Sequence, residues 1–226
     1  MQTLLLRLAG PLQAWGADSH FERRMTGREP TKSGVIGMLA AALGRRRTAD
    51  ISDLSALRFG VRIDQPGILE YDFHMARGKD SYVTYRYYLA DAVFLAGLEG
   101  DGAFLEQIEQ ALRQPYFPLF LGRRACPPTG PLSLGVRDMD LRPALEAEPW
   151  LAAGWYRKRR KNESQNLIMV YDALPEENAV YATADTPVSF SPINRQFVFR
   201  GTVRGVTRTD GLKPTEHDPM LEMEEP

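Results

Sequence analysis

A single cysteine, Cys126, stands in the whole chain. It cannot form an internal disulfide, and no multi-cysteine zinc site can be built around it. Histidine is scarce as well: His20, His74 and His217 are scattered, with no acid–base partner at a recognisable spacing. No apolar run approaches the roughly 20 residues that span a bilayer. The opening MQTLLLRLAG has an apolar part of about five residues interrupted by Arg7, too short for a secretory signal, and reads as a first strand. Together these absences predict a cytoplasmic protein without cofactor, metal centre or membrane segment. The remaining composition, 43% hydrophobic and 25% charged, is that of a globular chain able to bury a sizeable core.

The net charge of −1 conceals an asymmetry. The segment from Thr209 to Pro226 holds six acids (Asp210, Glu216, Asp218, Glu222, Glu224, Glu225) against one base, Lys213. Residues 1–208 are therefore mildly basic, which favours a polyanionic partner. The acidic, proline-containing tail at 209–226 is expected to be disordered.

Hydrophobic periodicity predicts an α+β protein. A strand at 2–8 precedes a Gly/Pro-punctuated loop and an arginine-rich stretch at 17–31. Val35, Ile36, Leu39 and Leu43 recur at helical spacing, with Pro30, Thr31 and Ser33 as start signals and Gly44 as a stop. Alternation at 57–64 and again at 68–76, around Gln65-Pro66-Gly67, predicts a hairpin over 57–76. A polar insert follows, then a strand beginning at Leu89, an amphipathic helix over 102–114 and a strand at 116–122. This β-α-β-β, insert, α-β order matches a ferredoxin-like (RRM-like) plan over residues 1–135, with the insertion at about 77–88. Residues 136–150 read as a linker, and 136–208 as a small β-rich domain.

Several motifs bear on chemistry. GREPTKS at 27–33 is not a phosphate-binding P-loop, because Thr31 stands where that pattern needs glycine. Lys32 and Ser33 nevertheless lie at a predicted helix N-terminus, where an anion site and simple capping are both open readings. In YVTYRYY (82–88), Tyr82, Thr84, Arg86 and Tyr88 would share one face of a strand, and Val83, Tyr85 and Tyr87 the other. Aromatic rings and an arginine plane are platforms for unpaired bases; a tyrosine-rich core strand is the alternative. In FLGRRACPP, Arg123 and Arg124 follow Gly122 and precede two stiffening prolines. They can grip successive phosphates, or lie in a solvated loop. The run Arg157–Lys161 is a solvated stretch or a nucleic-acid contact. His74 is the one histidine with basic and tyrosine neighbours, so metal-independent RNA cleavage is the alternative activity. Cys126 sits beside arginines that could lower its pKa, with packing as the other reading.

LLLRLAGPLQAWG, PTKSGVIGMLAAALG, YRYYLADAVF and LGRRACPP, in this order and spacing, resemble the CasD family of subunits of the type I-E CRISPR surveillance complex, Cascade, within the RAMP superfamily. The resemblance covers residues 1–135. It implies a ferredoxin-like domain with a thumb-like insertion and a smaller β domain behind it. It also implies a non-catalytic, RNA-binding role in antiviral defence, with the CRISPR RNA 5′ handle bound and the backbone filament capped. The implied partners are CRISPR RNA, the backbone subunit and the large subunit, with target DNA met only indirectly. Arg86 matches the family's handle-contacting arginine, and Phe120, Arg123 and Arg124 its handle-binding loop. Lys32, Ser33, Gln13 and Trp15 match more loosely. The insert between His74 and Arg86 is short for the family's thumb.

Overall fold

The computed structural model describes residues 1–16, 23–76, 81–160 and 164–209. The chain begins with β1 (Gln2–Ala9), β2 (Leu12–Gln13), β3 (Arg23–Arg24), α1 (Lys32–Ala42) and α2 (Ser52–Ser55). It continues with β4 (Arg58–Gln65), β5 (Ile68–Ala76), β6 (Tyr82–Ala90), β7 (Val93–Gly100) and α3 (Gly102–Arg113). The last elements are β8 (Ser133–Arg137), α4 (Leu141–Ala147), α5 (Gly154–Arg159), β9 (Asn166–Asp172), β10 (Tyr181–Ser189) and β11 (Gln196–Arg208). None of these helices is long and apolar enough to cross a membrane. His20, His217, Lys161 and nearly all of the acidic tail lie outside the described residues.

The architecture is α+β, with almost entirely antiparallel pairing. One seven-stranded sheet runs β10-β11-β9-β4-β7-β1-β8. Every neighbouring pair in it is antiparallel, so β1 and β4, which flank β7 and are joined through α1, run parallel. Period-two alternation sorts the side chains between two cores. Leu4, Leu6 and Leu8 of β1 and Phe59 and Val61 of β4 pack with α1 and with Leu105 and Ile108 of α3. On the other face, Leu5 and Leu95 meet Leu141 and Leu145 of α4 with Met169 and Tyr171 of β9. Gly60 and Gly97 are cross-strand partners, and a Cβ on either would come within 3 Å of a leucine of α4. Their bareness lets that helix lie close.

Local signals delimit the main helices well. Thr31 caps α1 by accepting from the Gly34 N–H, and Asp101 caps α3 by accepting from the Phe104 N–H. Four expectations are corrected. The first is the 57–76 hairpin: β4 pairs with β7 and β9, so both its edges are occupied, and β5 pairs instead with β6. That second hairpin, with β2 and β3 on the far edge of β6, forms a separate four-stranded sheet. Second, the strand expected from Leu89 is broken at Asp91, whose φ of 54° is left-handed, so the chain turns from β6 into β7. Third, residues 116–122 are not a strand. Pro118 has no N–H to give, and the Tyr116 and Phe117 N–H groups donate to the carbonyls of Ala42 and Ala41, which the end of α1 leaves open. Fourth, 136–150 is not a linker, because α4 buries Leu141, Ala144 and Leu145 there. The strands of 166–208 extend the same sheet that β1, β4 and β7 belong to.

Candidate nucleic-acid interface

The Gly122–Cys126 turn is locked before any side chain is considered. Leu121 donates to the Cys126 carbonyl at 2.7 Å, Cys126 donates to Arg123 O at 2.8 Å, and Ala14 donates to Leu121 O at 3.1 Å. Gly122 has φ +84°, and a Cβ there would sit 1.7 Å from the Ala14 carbonyl oxygen. Only glycine permits this turn against the Ala14–Trp15 backbone. Gly122→Ala is expected to lower stability by about 2 kcal/mol through left-handed strain and the displaced turn. A urea denaturation midpoint unchanged from the parent would refute that.

The two arginines delivered by the turn do different things. Arg123 reaches inward: its guanidinium donates to the carbonyls of Tyr87 (3.1 Å), Arg24 (2.6 Å) and Met25 (3.4 Å), and lies 4.9 Å over the buried Tyr88 ring. It clamps β3 and β6 to the turn. Arg124 is exposed, with no hydrogen bond or ion pair to another described residue. Phe120 is half-buried just before the turn. Cys126 beneath it is buried, and desolvation pushes its thiol above the ordinary range despite the nearby Arg123 charge. The lowered-pKa reading is therefore corrected. At neutral pH a thiol reagent should leave native Cys126 unmodified and label the unfolded chain; rapid native labelling would contradict this burial.

β6 separates the aromatic and cationic groups as its alternation requires. Tyr85 and Tyr87 face outward with Tyr71, at ring separations of 6.3 and 5.9 Å. Arg86 shares the other face with Tyr88, whose ring lies beneath Arg123. Arg86 is also the register partner of Arg24 on β3. Its Nε is buried and has no hydrogen-bond partner among the described residues. Such a group needs a ligand or solvent to complete it.

Gln13 and Trp15 are fully buried. Gln13 donates to the Leu8 and Ala92 carbonyls and accepts from the Trp15 indole at 3.0 Å, so both side chains brace the loop from inside. Lys32 points away from the turn, into a buried network. Its ammonium is 3.2 Å from Asp172, its backbone N–H donates to Asp185 at 2.8 Å, and Arg200 bridges the two carboxylates. The anion favoured at the α1 N-terminus is thus Asp185, supplied from within the chain. Burial alone would lower the Arg200 pKa, but hydrogen bonds and charge from Asp185 and Asp172 hold it above its usual value. Lys32 is not placed to meet an outside ligand. Ser33 remains half-exposed.

Between these elements lies a cavity of about 160 Å³, lined by Trp15, Ser33, Gly122 and the arginines 24, 123 and 195 among others. No carboxylate lines it. Sequence reasoning missed Arg24 and Arg195. Arg24 was signalled only by the arginine-rich stretch it belongs to. Arg195 had no signal, since the β10–β11 connection brings it from the far end of the chain. His74 lies elsewhere, exposed on β5 with its Nε2 2.8 Å from Asp72. Among the described residues no group of three or more His, Cys, Asp or Glu could hold a metal.

An arginine-lined cleft free of acids, on an antiparallel α+β scaffold, is suited to an anionic ligand. Comparison with known proteins then places the chain. A family model described as "CRISPR-associated protein (Cas_Cas5)" matches residues 3–202, and this chain belongs to the Cas5 family of CRISPR-associated proteins. It is 38% identical over 158 residues to the Cascade subunit CasD of Escherichia coli K12, an alignment covering 59% of this chain and 70% of that relative. A solved structure titled "Crystal structure of Cas protein" shares 42% identity at a TM-score of 0.72, covering 90% of this chain and 94% of the other. A chain of a "CRISPR RNA-guided surveillance complex" shares 33% identity at a TM-score of 0.75, covering 92% and 90%.

Proposed function

We propose that this protein is a non-catalytic RNA-binding subunit of a Cascade-type surveillance complex. In this reading it holds the 5′ handle of the CRISPR RNA and caps the backbone filament beside the large subunit. The observation that carries it is the acid-free cleft lined by Arg24, Arg123 and Arg195, with Arg124 exposed on the same turn and the Nε of Arg86, the register partner of Arg24, left unpartnered inside the protein. Phosphate oxygens would complete these donors with charge-assisted hydrogen bonds. Arg86 and Arg124 serve as the direct contacts, Arg123 as the clamp that sets their spacing, and Ser33 and Phe120 as flanking contacts.

Two further features support the reading. The strand order β4-β7-β1-β8, with α1 and α3 on one face, fits a ferredoxin-like domain over residues 1–135. The β5–β6 hairpin serves as the thumb. Its outer face exposes Tyr71, Phe73 and Met75 beside Tyr85 and Tyr87, an apolar surface apt for a neighbouring backbone subunit. Endonucleolytic cleavage is disfavoured, because His74 is paired to Asp72 on β5 and does not line the arginine cleft.

The test is to recover the tagged protein from cells that express the whole system and to sequence the RNA that accompanies it. Short RNAs with one common repeat-derived 5′ end, together with companion subunits, are the expected result. An expressed CRISPR transcript with no enrichment of such RNA would overturn the reading.

A further inference from the structure

The basic run at 157–161 takes no part in the arginine cleft. Arg157, Lys158 and Arg159 occupy α5, and Arg160 is its C-cap. None of these four makes an ion pair with a carboxylate among the described residues, and the Nε of Arg157 is buried without a partner. Cations at a helix end are favoured by its dipole, but one short helix does not call for four of them.

The aromatic side chains beneath them form a braced platform. Trp155 is 52% exposed and meets Tyr156 edge-on at 5.7 Å. Tyr156 meets Trp150 at 6.3 Å, and the Arg160 guanidinium lies 5.4 Å from the Tyr156 ring centre. The Trp150 indole donates to the Asp64 carbonyl at 2.8 Å, which ties the platform to the buried interior. A half-exposed indole braced by a neighbouring ring, edged by cations without carboxylate partners, is the arrangement on which a base stacks while its backbone is gripped.

We propose that α5 and its C-terminal turn form a second nucleic-acid contact, which holds the phosphodiester backbone of an unpaired strand with a base stacked on Trp155. This contact is separate from handle binding and does not rest on it. The unpaired strand could be RNA or DNA, because the recognising chemistry is the same.

The test uses the full chain and short fluorescent oligonucleotides without repeat sequence: unpaired RNA, unpaired DNA and duplex DNA. Lys158 and Arg159 are exposed, and no hydrogen bond links either side chain to another described residue. The double variant Lys158→Gln, Arg159→Gln should therefore melt like the parent. Its plot of log affinity against log salt should be shallower by about 1.4 for unpaired strands, two phosphate contacts at about 0.7 each. Trp155→Ala should weaken unpaired-strand binding about ten-fold and leave duplex binding unchanged. Preference for RNA would assign the surface to a guide or transcript, and preference for DNA to an invading strand; either supports the proposal. An unchanged salt slope in the double variant would show a merely solvated helix end and overturn it. So would an equal Trp155→Ala loss on duplex and unpaired strands.

Discussion

Asp64→Ala is expected to destabilise the chain by about 3–5 kcal/mol, the range for stripping a buried ion pair of one partner. Arg62 is 1% exposed and holds Asp64 through two bonds, at 2.7 and 2.9 Å. The same guanidinium donates to the carbonyls of Leu145, Glu148 and Pro149. Asp64 in turn accepts from the Leu151 N–H, and its carbonyl accepts from Trp150. The pair therefore fastens the end of α4 and the 148–151 segment to β4. Removing the carboxylate strands a charged guanidinium in the interior and leaves the Leu151 N–H unmet. Against a total stability of about 5–15 kcal/mol, the loss is a large fraction. Arg142→Ala, which breaks the exposed pair with Glu146 and a loose stacking of the guanidinium over the Tyr171 ring at 6.0 Å, should change stability by less than about 1 kcal/mol. Urea titration followed by tryptophan fluorescence measures both, and a cost for Asp64→Ala below about 1 kcal/mol would refute the account.

The second large effect, expected if the proposed function holds, falls on RNA. Arg86→Ala combined with Arg124→Ala should weaken handle binding by about 3 kcal/mol or more, on the order of a hundred-fold, since each charge-assisted hydrogen bond is worth about 1.5–3 kcal/mol. The salt slope should fall with it by about 0.7 for each phosphate no longer held. Arg124→Ala alone should leave the urea midpoint untouched, because that side chain bonds to no described residue. Arg123→Ala should behave differently. It removes the donor to three carbonyls on two elements, so stability and binding should fall together. Equal behaviour of the Arg123 and Arg124 variants would sink the division between clamp and contact. Substituting both at once would confuse the two causes, so the single variants are the informative ones.

The separate roles of these two adjacent arginines mark the limit of sequence reading. Gly122 followed by two arginines and two prolines announced a rigid cationic turn, and the structure has one. Which guanidinium faces inward depended on Tyr87, Arg24 and Met25, none of them near in sequence. Lys32 shows the same limit. Its place at a helix start was legible from Thr31 and the apolar spacing. Its partners, Asp172 and Asp185, stand 140 and 153 residues further on, and they turn it from a ligand candidate into a buried structural charge.

Strand identity and strand pairing divide in the same way. The alternation at 57–64 and 68–76 identified two strands correctly, yet a strand has two edges and its periodicity names no partner for either. β9, from late in the chain, takes the edge of β4 that β5 was expected to fill, and β5 turns to β6 in a second sheet. The linker expectation at 136–150 failed because a two-turn helix covers its core face with only three buried side chains, too few for a clear period.

By itself the sequence determined β1, α1 with its start and stop signals, α3, the faces of β6, the absence of any internal disulfide and, through four linked motifs, the family. Those features depend on residues close together along the chain, where backbone preference and side-chain period act directly. The tertiary structure alone decided which edges pair, which charges are neutralised inside and which remain to face a ligand, including the arrival of Arg195 at the cleft. These are outcomes of competition among distant groups for a limited number of edges and counter-charges, and local sequence does not carry the result of that competition.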